Sequence, residues 1–409
     1  MVADRAEAPA ELPTHPARFR AAPERNARLA RPLRLVAGVH RVDEELLDRL
    51  GRRMMARDEL GDELAAAVRR PRGDPERVTM RRIGQALAGG AVDDDPPALR
   101  RFLAVVEQTP DWVDPDLVER GARAFRRLGR SRIDVLLQLS LIGGYRFAGP
   151  ADLLVATGGL TGATATRRLG ETETWGAAVS APGGMRRGGE GFRLTLHVRV
   201  MHALVNRAFE TNGRWDSAAL GLPINRSDLA ATLGLFSSTP LLGARLLGRV
   251  VTPAESRAVM HLWKYAGWLM GVDDDWLFDT EREQNAFNAH VVLAQAGPTP
   301  AGAALARALV DGHRALPGWG GLRGRWERHR LLGMLRFFLG SAGMRDLGLP
   351  GVAPWMVAPT AVANLGVSGV LGRTRAGRRL LERVGDRATE RELTRWFGAD
   401  RAEVGTLPA

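Results

Sequence analysis

The stretch FRLTLHVRVMHALVNRAF, residues 192–209, decides the fold. Leu194, Val198, Met201, Val205 and Phe209 recur every three to four residues, the period of a helix and not the alternation of a strand. His202 lies on that stripe, and Arg199, three residues before it, projects near the same face. His197 points elsewhere. An imidazole and a guanidinium therefore share one side of an apolar helix. Arginine is rarely buried without an anion. A histidine in such a place is ordinarily a hydrogen-bonded core residue and less often a ligand, and pattern alone leaves both readings open.

Outward from this helix the chain reads as helical nearly throughout. Helices are expected at 43–58, 61–69, 96–108, 115–128 and 131–147, then in two pieces within 151–180 around Thr157-Gly158-Gly159. Asn225 or Ser227 caps a helix running to about Leu247. Thr252-Pro253-Ala254-Glu255 is a strong start signal, with threonine as N-cap, proline at the first helical position and glutamate closing a capping box. Further helices are expected at 280–296, 300–314, 321–340, 355–371 and 376–397. No run of alternating β-branched residues would make a sheet, so the class is all-α. Residues 1–40, rich in Pro, Ala and Arg, read as an extended or partly disordered arm, and 41–400 as one large helical domain. The clearest internal break, Gly297-Pro298-Thr299-Pro300, is short enough to be a turn.

Composition narrows the chemistry. Among 409 residues there is no cysteine, which excludes thiolate nucleophiles, disulfides, iron–sulfur clusters and cysteine-held zinc or haem. The net charge of +12 comes almost entirely from arginines dispersed among acids, without a basic segment interleaved with aromatics, so nucleic acid is not the expected partner. The start lacks an export signal, so a cytoplasmic location is expected. The long uncharged run between Asp346 and Arg373 is broken by Pro350, Pro354 and Pro359. It reads as a buried core helix from about Trp355 in preference to a membrane span, with peripheral membrane contact left open. No phosphate loop, HExxH or GxSxG occurs, and the acidic runs Asp93–Asp95 and Asp273–Asp275 read as solvated helix-end acids. His202, Arg199, Arg168, Thr172, Asn225, Thr232 and His261 remain as polar groups in apolar context.

These residues carry a resemblance. R-L-x-x-T at Arg168 to Thr172, P-G-G at Pro182 to Gly184, V-R-V-M-H-A-L-V-N-R at Val198 to Arg207, G-L-P-I-N-R-S-D-L-A-A-T-L-G-L-F-S at Gly221 to Ser237 and H-L-W-K-Y-A-G-W-L-M-G-V at His261 to Val272 occur in the order of the latex-clearing protein (rubber oxygenase) family. That family also contains the fungal MpaB-type oxygenases. The resemblance implies an all-α fold with a globin-like core holding haem b. It makes His202 the proximal iron ligand, Arg199 and Thr232 haem-pocket residues meeting a propionate, and Arg168 with Thr172 the distal pair beside dioxygen or peroxide. The i, i+4 spacing of Arg168 and Thr172 puts both on one helical face.

Two departures shape the expectation. Glu171 stands where rubber oxygenases can carry an iron-capping lysine, so Glu171 is expected as an acid–base group instead, with Asp152 as the upstream alternative. The missing export signal argues against an extracellular polymer substrate. The expected activity is a haem b oxygenase acting on an apolar, unsaturated small molecule or lipid by C=C cleavage or oxygen insertion. Alternatives are a peroxide-using haem enzyme, a non-catalytic haem- or lipid-binding protein and, last, a basic nucleic-acid binder. His261, on a helix with three aromatics, reads as a core hydrogen-bonding residue before a second iron ligand.

Overall fold

In a computed structural model, residues 12–89, 94–158, 162–312 and 321–397 are described. Every regular element among them is a helix and none is a strand. Local chemistry sets the boundaries. Thr252 accepts from Glu255 N and Glu255 returns to the cap, opening Pro253–Met270 with proline in the first turn. Gly271 closes that helix in the left-handed conformation (φ +88°), which a side chain disfavours. Thr280 and Glu283 repeat the capping box for Glu281–Ala294. Asn225 accepts from Asp228 N and starts Arg226–Phe236.

The central helix runs from Glu190 to Thr211. It pairs antiparallel with Gly162–Ser180, and a tight turn through Pro182-Gly183-Gly184 joins them. Gly191 and Gly184 both lie where an added Cβ would strike the Ala178 carbonyl, so glycine permits this close return. Trp175 Nε1 donates to Thr195 Oγ1 at 3.0 Å and fixes the register of the pair. The helix Pro253–Met270 supplies the aromatic centre. Trp263, fully buried, meets Phe125, Trp175 and Phe236 with ring centroids 5.3–5.6 Å apart.

The structure corrects several expectations. The N-terminal segment is not an extended arm. Pro23–Ala37 is a helix lying along Glu281–Ala294, with Asn26 and Ala30 fully buried. Ahead of it, buried Arg18 donates to Leu220 O, Ala148 O and Gln295 Oε1 and pairs with Asp228. Ala17 and Arg18 also hydrogen-bond through the backbone to Ala218 and Ala219. Weak apolar periodicity hid a segment held by polar contacts. Residues 1–11 lie outside the described residues. Met80–Gly89 is a helix that the sequence reading passed over. The helix expected over 131–147 widens its hydrogen-bond spacing after Val135 and continues as a π-helix, Leu136–Ile142. The one expected from Asn225 to Leu247 breaks at Ser237 into Arg226–Phe236 and Ser238–Leu246.

The largest correction concerns the uncharged run. Val357–Leu371 is a helix, but not a core helix: Val362, Leu365 and Val370 are exposed. Its inward stripe carries Asn364 and Ser368, which bond Leu247 O, Ser131 Oγ and the Val250 amide. Backbone groups of the body therefore recruit the polar residues and turn the apolar ones outward. No helix among the described residues is long and apolar enough to cross a membrane.

Gly121 marks the closest approach between Pro115–Arg127 and Pro253–Met270, where a Cβ would strike the Ala258 carbonyl. A Gly121→Ala substitution gains about 1 kcal/mol of helix propensity and loses up to about 3 kcal/mol to overpacking. We expect a net loss of on the order of 1–2 kcal/mol in denaturant unfolding; unchanged or raised stability would show that these helices do not meet at Gly121.

Candidate functional site

The central helix has two unlike sides. Leu196, Val200, Ala203 and Leu204 are buried in the main core. Of the stripe read from the sequence, Phe209 is buried, whereas Leu194, Val198, Met201 and Val205 are partly buried, as is His202. Met201 packs against that core, whereas Leu194, Val198 and Val205 keep part of their apolar surface outside it.

His202 has no hydrogen-bond partner among the described residues. Its Nδ1 is enclosed without a hydrogen bond, and Nε2 makes none among the described residues. The ring lines a small cleft of about 20 Å³ with Asp58, Arg199, Asn206, Asn225 and Leu229. Burial pushes its pKa down to about 4 against a smaller opposing pull from Asp58. The imidazole is therefore neutral near pH 7, with a lone pair free to ligate.

Arg199 already has its anion. Its Nε donates to Asp58 Oδ2 at 2.6 Å and its Nη2 to Asp58 Oδ1 at 2.8 Å, while Nη1 reaches Leu269 O at 3.2 Å. The guanidinium also lies 5.5 Å from the Phe102 ring. The carboxylate facing Arg199 in this structure belongs to the chain itself. Asp58 sits at the N-cap of Glu59–Val68 yet makes no capping bond, because both oxygens serve Arg199. Sequence reading missed Asp58. Its signal was an N-cap acid ahead of a helix, which every ordinary cap also gives.

The distal candidates lie on Gly162–Ser180. The pairs Ala178/Gly191 and Trp175/Thr195 fix the antiparallel register. Extended at equal rise per residue, that register brings Thr172 level with Val198 and Arg168 level with His202. Arg168 is partly buried, donates to Thr157 O at 3.5 Å and has no acidic partner among the described residues. Its charge acts on the buried phenol of Tyr145, whose pKa burial raises. Tyr145, just past the π-helix, was also missed; such helices often mark functional sites. Thr172 is exposed and donates to Arg168 O at 2.9 Å, which leaves its oxygen able to accept.

The remaining candidates are engaged elsewhere. Glu171 pairs with Arg167 at 3.0 Å. Asp152 caps its own helix through Gly149 N at 2.8 Å. Thr232, exposed, donates to Asp228 O at 2.7 Å on the helix whose Leu229 lines the His202 cleft. His261 Nε2 accepts from Asp114 N at 3.0 Å and meets Trp112 edge-on, a core role. Asp273 and Asp275 are not simply solvated, since both pair with Arg53. Among the described residues no group of three or more acidic, histidine or cysteine side chains could hold a metal ion alone.

Two outcomes follow. Asp58→Ala strands the buried Arg199 charge and should cost about 3–5 kcal/mol in denaturant unfolding; a loss under about 1 kcal/mol would mean that the pair is dispensable. For His202 the folded pKa lies below its unfolded value near 6.5, so the folded chain binds fewer protons between those limits. Stability contributed by the neutral ring is then full above pH 6.5 and falls as pH drops toward 4, by up to about 3 kcal/mol. His202→Phe should remove this part of the acid sensitivity in unfolding curves; an unaltered pH profile contradicts it.

Over residues 126–376 the chain matches the family described as ER-bound oxygenase mpaB/B'/Rubber oxygenase, catalytic domain. It is 25% identical over 260 residues to the rubber oxygenase of Streptomyces sp. strain K30, a match covering 62% of this chain and 62% of that protein's length. Its fold is similar to the solved structure of latex clearing protein in the closed state, with a TM-score of 0.56 and 19% identity over 83% of this chain and 90% of the other. A family match across more than half the chain, seated on the same all-helical fold, places this protein in the MpaB and rubber oxygenase catalytic-domain family.

Proposed function

We propose that the chain is a haem b-dependent oxygenase, with His202 as iron ligand and an apolar, unsaturated lipid, isoprenoid or polyketide chain as substrate. One observation carries the reading: a neutral imidazole whose enclosed Nδ1 has no hydrogen-bond partner among the described residues, on a partly buried apolar helix face. Donor chemistry fits the cofactor, since a neutral histidine with a free lone pair is the ordinary proximal group. The enclosed part of the His202 cleft is water-sized, about 20 Å³, so haem would need the elements around His202 to stand further apart than they do in this structure. Haem, when bound, supplies the iron at which dioxygen is activated.

The chain's own groups do the rest. His202 donates its lone pair, and the Asp58–Arg199 pair beside it fixes the local charge. Arg168, without an acidic partner among the described residues, offers a positive charge and donors to oxygen atoms that become negative. Thr172, one turn on, orients the same atoms through its hydroxyl. Leu194, Val198, Met201 and Val205 hold the apolar substrate and exclude water. Glu171 serves as an acid–base group only once Arg167 releases it, and Thr232 contributes from the helix across the cleft. The relative's name, rubber oxygenase, supports oxygen chemistry at C=C bonds.

Oxygen uptake by haemin-loaded protein with squalene or oleate tests this. Wild type should consume O2 and yield cleaved or oxygenated product without added peroxide. Arg168→Ala should lower kcat about 10²–10³-fold with the absorption spectrum retained. Turnover only with added peroxide would replace dioxygen as the oxidant. Haem binding without turnover on any unsaturated lipid would leave a binding protein in place of an enzyme.

A further inference from the structure

The helix Val357–Leu371 is built inside out. Its inward stripe holds Asn364 and Ser368, bonded to Leu247 O, Ser131 Oγ and the Val250 amide. Its outward side is apolar: Val362 is 72% exposed, Leu365 58% and Val370 67%. A surface helix of a water-soluble fold normally does the reverse. No charged residue occurs from Leu347 to Gly372. The apolar surface extends past the helix. At its entrance the exposed Trp355 meets the exposed Trp326 with ring centroids 6.4 Å apart. At its flank Val250, bonded through its amide to Ser368, is half exposed.

Charge follows directly. Residues 373–383 hold five arginines and one glutamate, and that glutamate, Glu382, is already paired with Arg127. Arg373, Arg375, Arg379 and Arg383 are exposed and have no ion-pair partner among the described residues. We propose that this face docks on an anionic lipid bilayer, with the Val357–Leu371 helix lying in the interface and the arginines on lipid headgroups. Three observations select that occupant over a second protein. The helix, at 15 residues, is too short to span a membrane, which fits lying on one. Two tryptophans stand at its rim, the residue type that favours the headgroup level. The positive charge beside it is unneutralised by the chain and is complementary to anionic headgroups. The inference is independent of His202; it gives a water-borne enzyme access to apolar molecules dissolved in a bilayer.

Full-length protein, co-sedimented with vesicles of phosphatidylcholine alone or with phosphatidylglycerol added, tests it. Binding to the anionic vesicles should appear at low salt, weaken as salt rises and shift tryptophan emission to the blue. Arg373→Glu, Arg375→Glu and Arg379→Glu, made singly, should each lower affinity about fivefold or more. Leu365→Glu should lower it more than tenfold with Tm unchanged, because the residue is exposed. No binding at low salt, or binding untouched by both sets of variants, overturns the proposal. So does light scattering that shows a dimer which Leu365→Glu dissociates, since the face would then belong to a second copy.

Discussion

A histidine in an enclosed place must bond something, because an unsatisfied buried nitrogen costs on the order of 1–3 kcal/mol. Among the described residues His202 Nδ1 bonds nothing. The fold tolerates this only by keeping the ring neutral, and burial does so by lowering its pKa. Much of the surroundings can be read as consequences. Arg199, a turn away, would repel protonation further if free, but Asp58 takes it with two bonds and cancels its charge. The helix carrying both is packed tightly on one side and left half open on the side of the ring.

Packing divides the central helix into a buried side and a partly buried one. Leu196, Val200 and Leu204 join the core with Trp263 and Phe125, and the Arg199–Asp58 pair ties the helix to Glu59–Val68. Leu194, Val198 and Val205 give up part of their burial. The return helix is likewise divided. Val179 packs in the main core, whereas Leu169 packs in a second cluster with Tyr145, Leu309 and Leu335. Arg168 and Thr172 stand at that second end, where the two helices have passed the glycine-permitted contacts of their turn.

What the sequence disclosed follows from what periodicity and capping encode. The capping boxes at Thr252 and Thr280 and the apolar period of 192–209 are local signals, and those helices lie where they were expected. Motif order disclosed the family. Partnership was not legible. Asp58 looks like any helix cap, Arg18 like any arginine in a proline-rich arm, and Tyr145 like part of an ordinary helix. Their roles depend on residues between 23 and 277 positions away or on a change to π bonding, which local pattern does not carry. The uncharged helix failed for a related reason. Hydropathy predicts burial, but Asn364 and Ser368 were claimed by backbone groups of neighbouring segments, and that reversed the face presented to water.

The central claim is that the His202 imidazole ligates haem iron, and a haemin titration followed by optical absorption tests it most directly. The account predicts a saturable Soret band at one haem per chain that sharpens on reduction, and its loss or marked shift in a folded His202→Ala protein. Wild-type protein that takes up no haem, or a His202→Ala spectrum identical to wild type in both redox states, would contradict it.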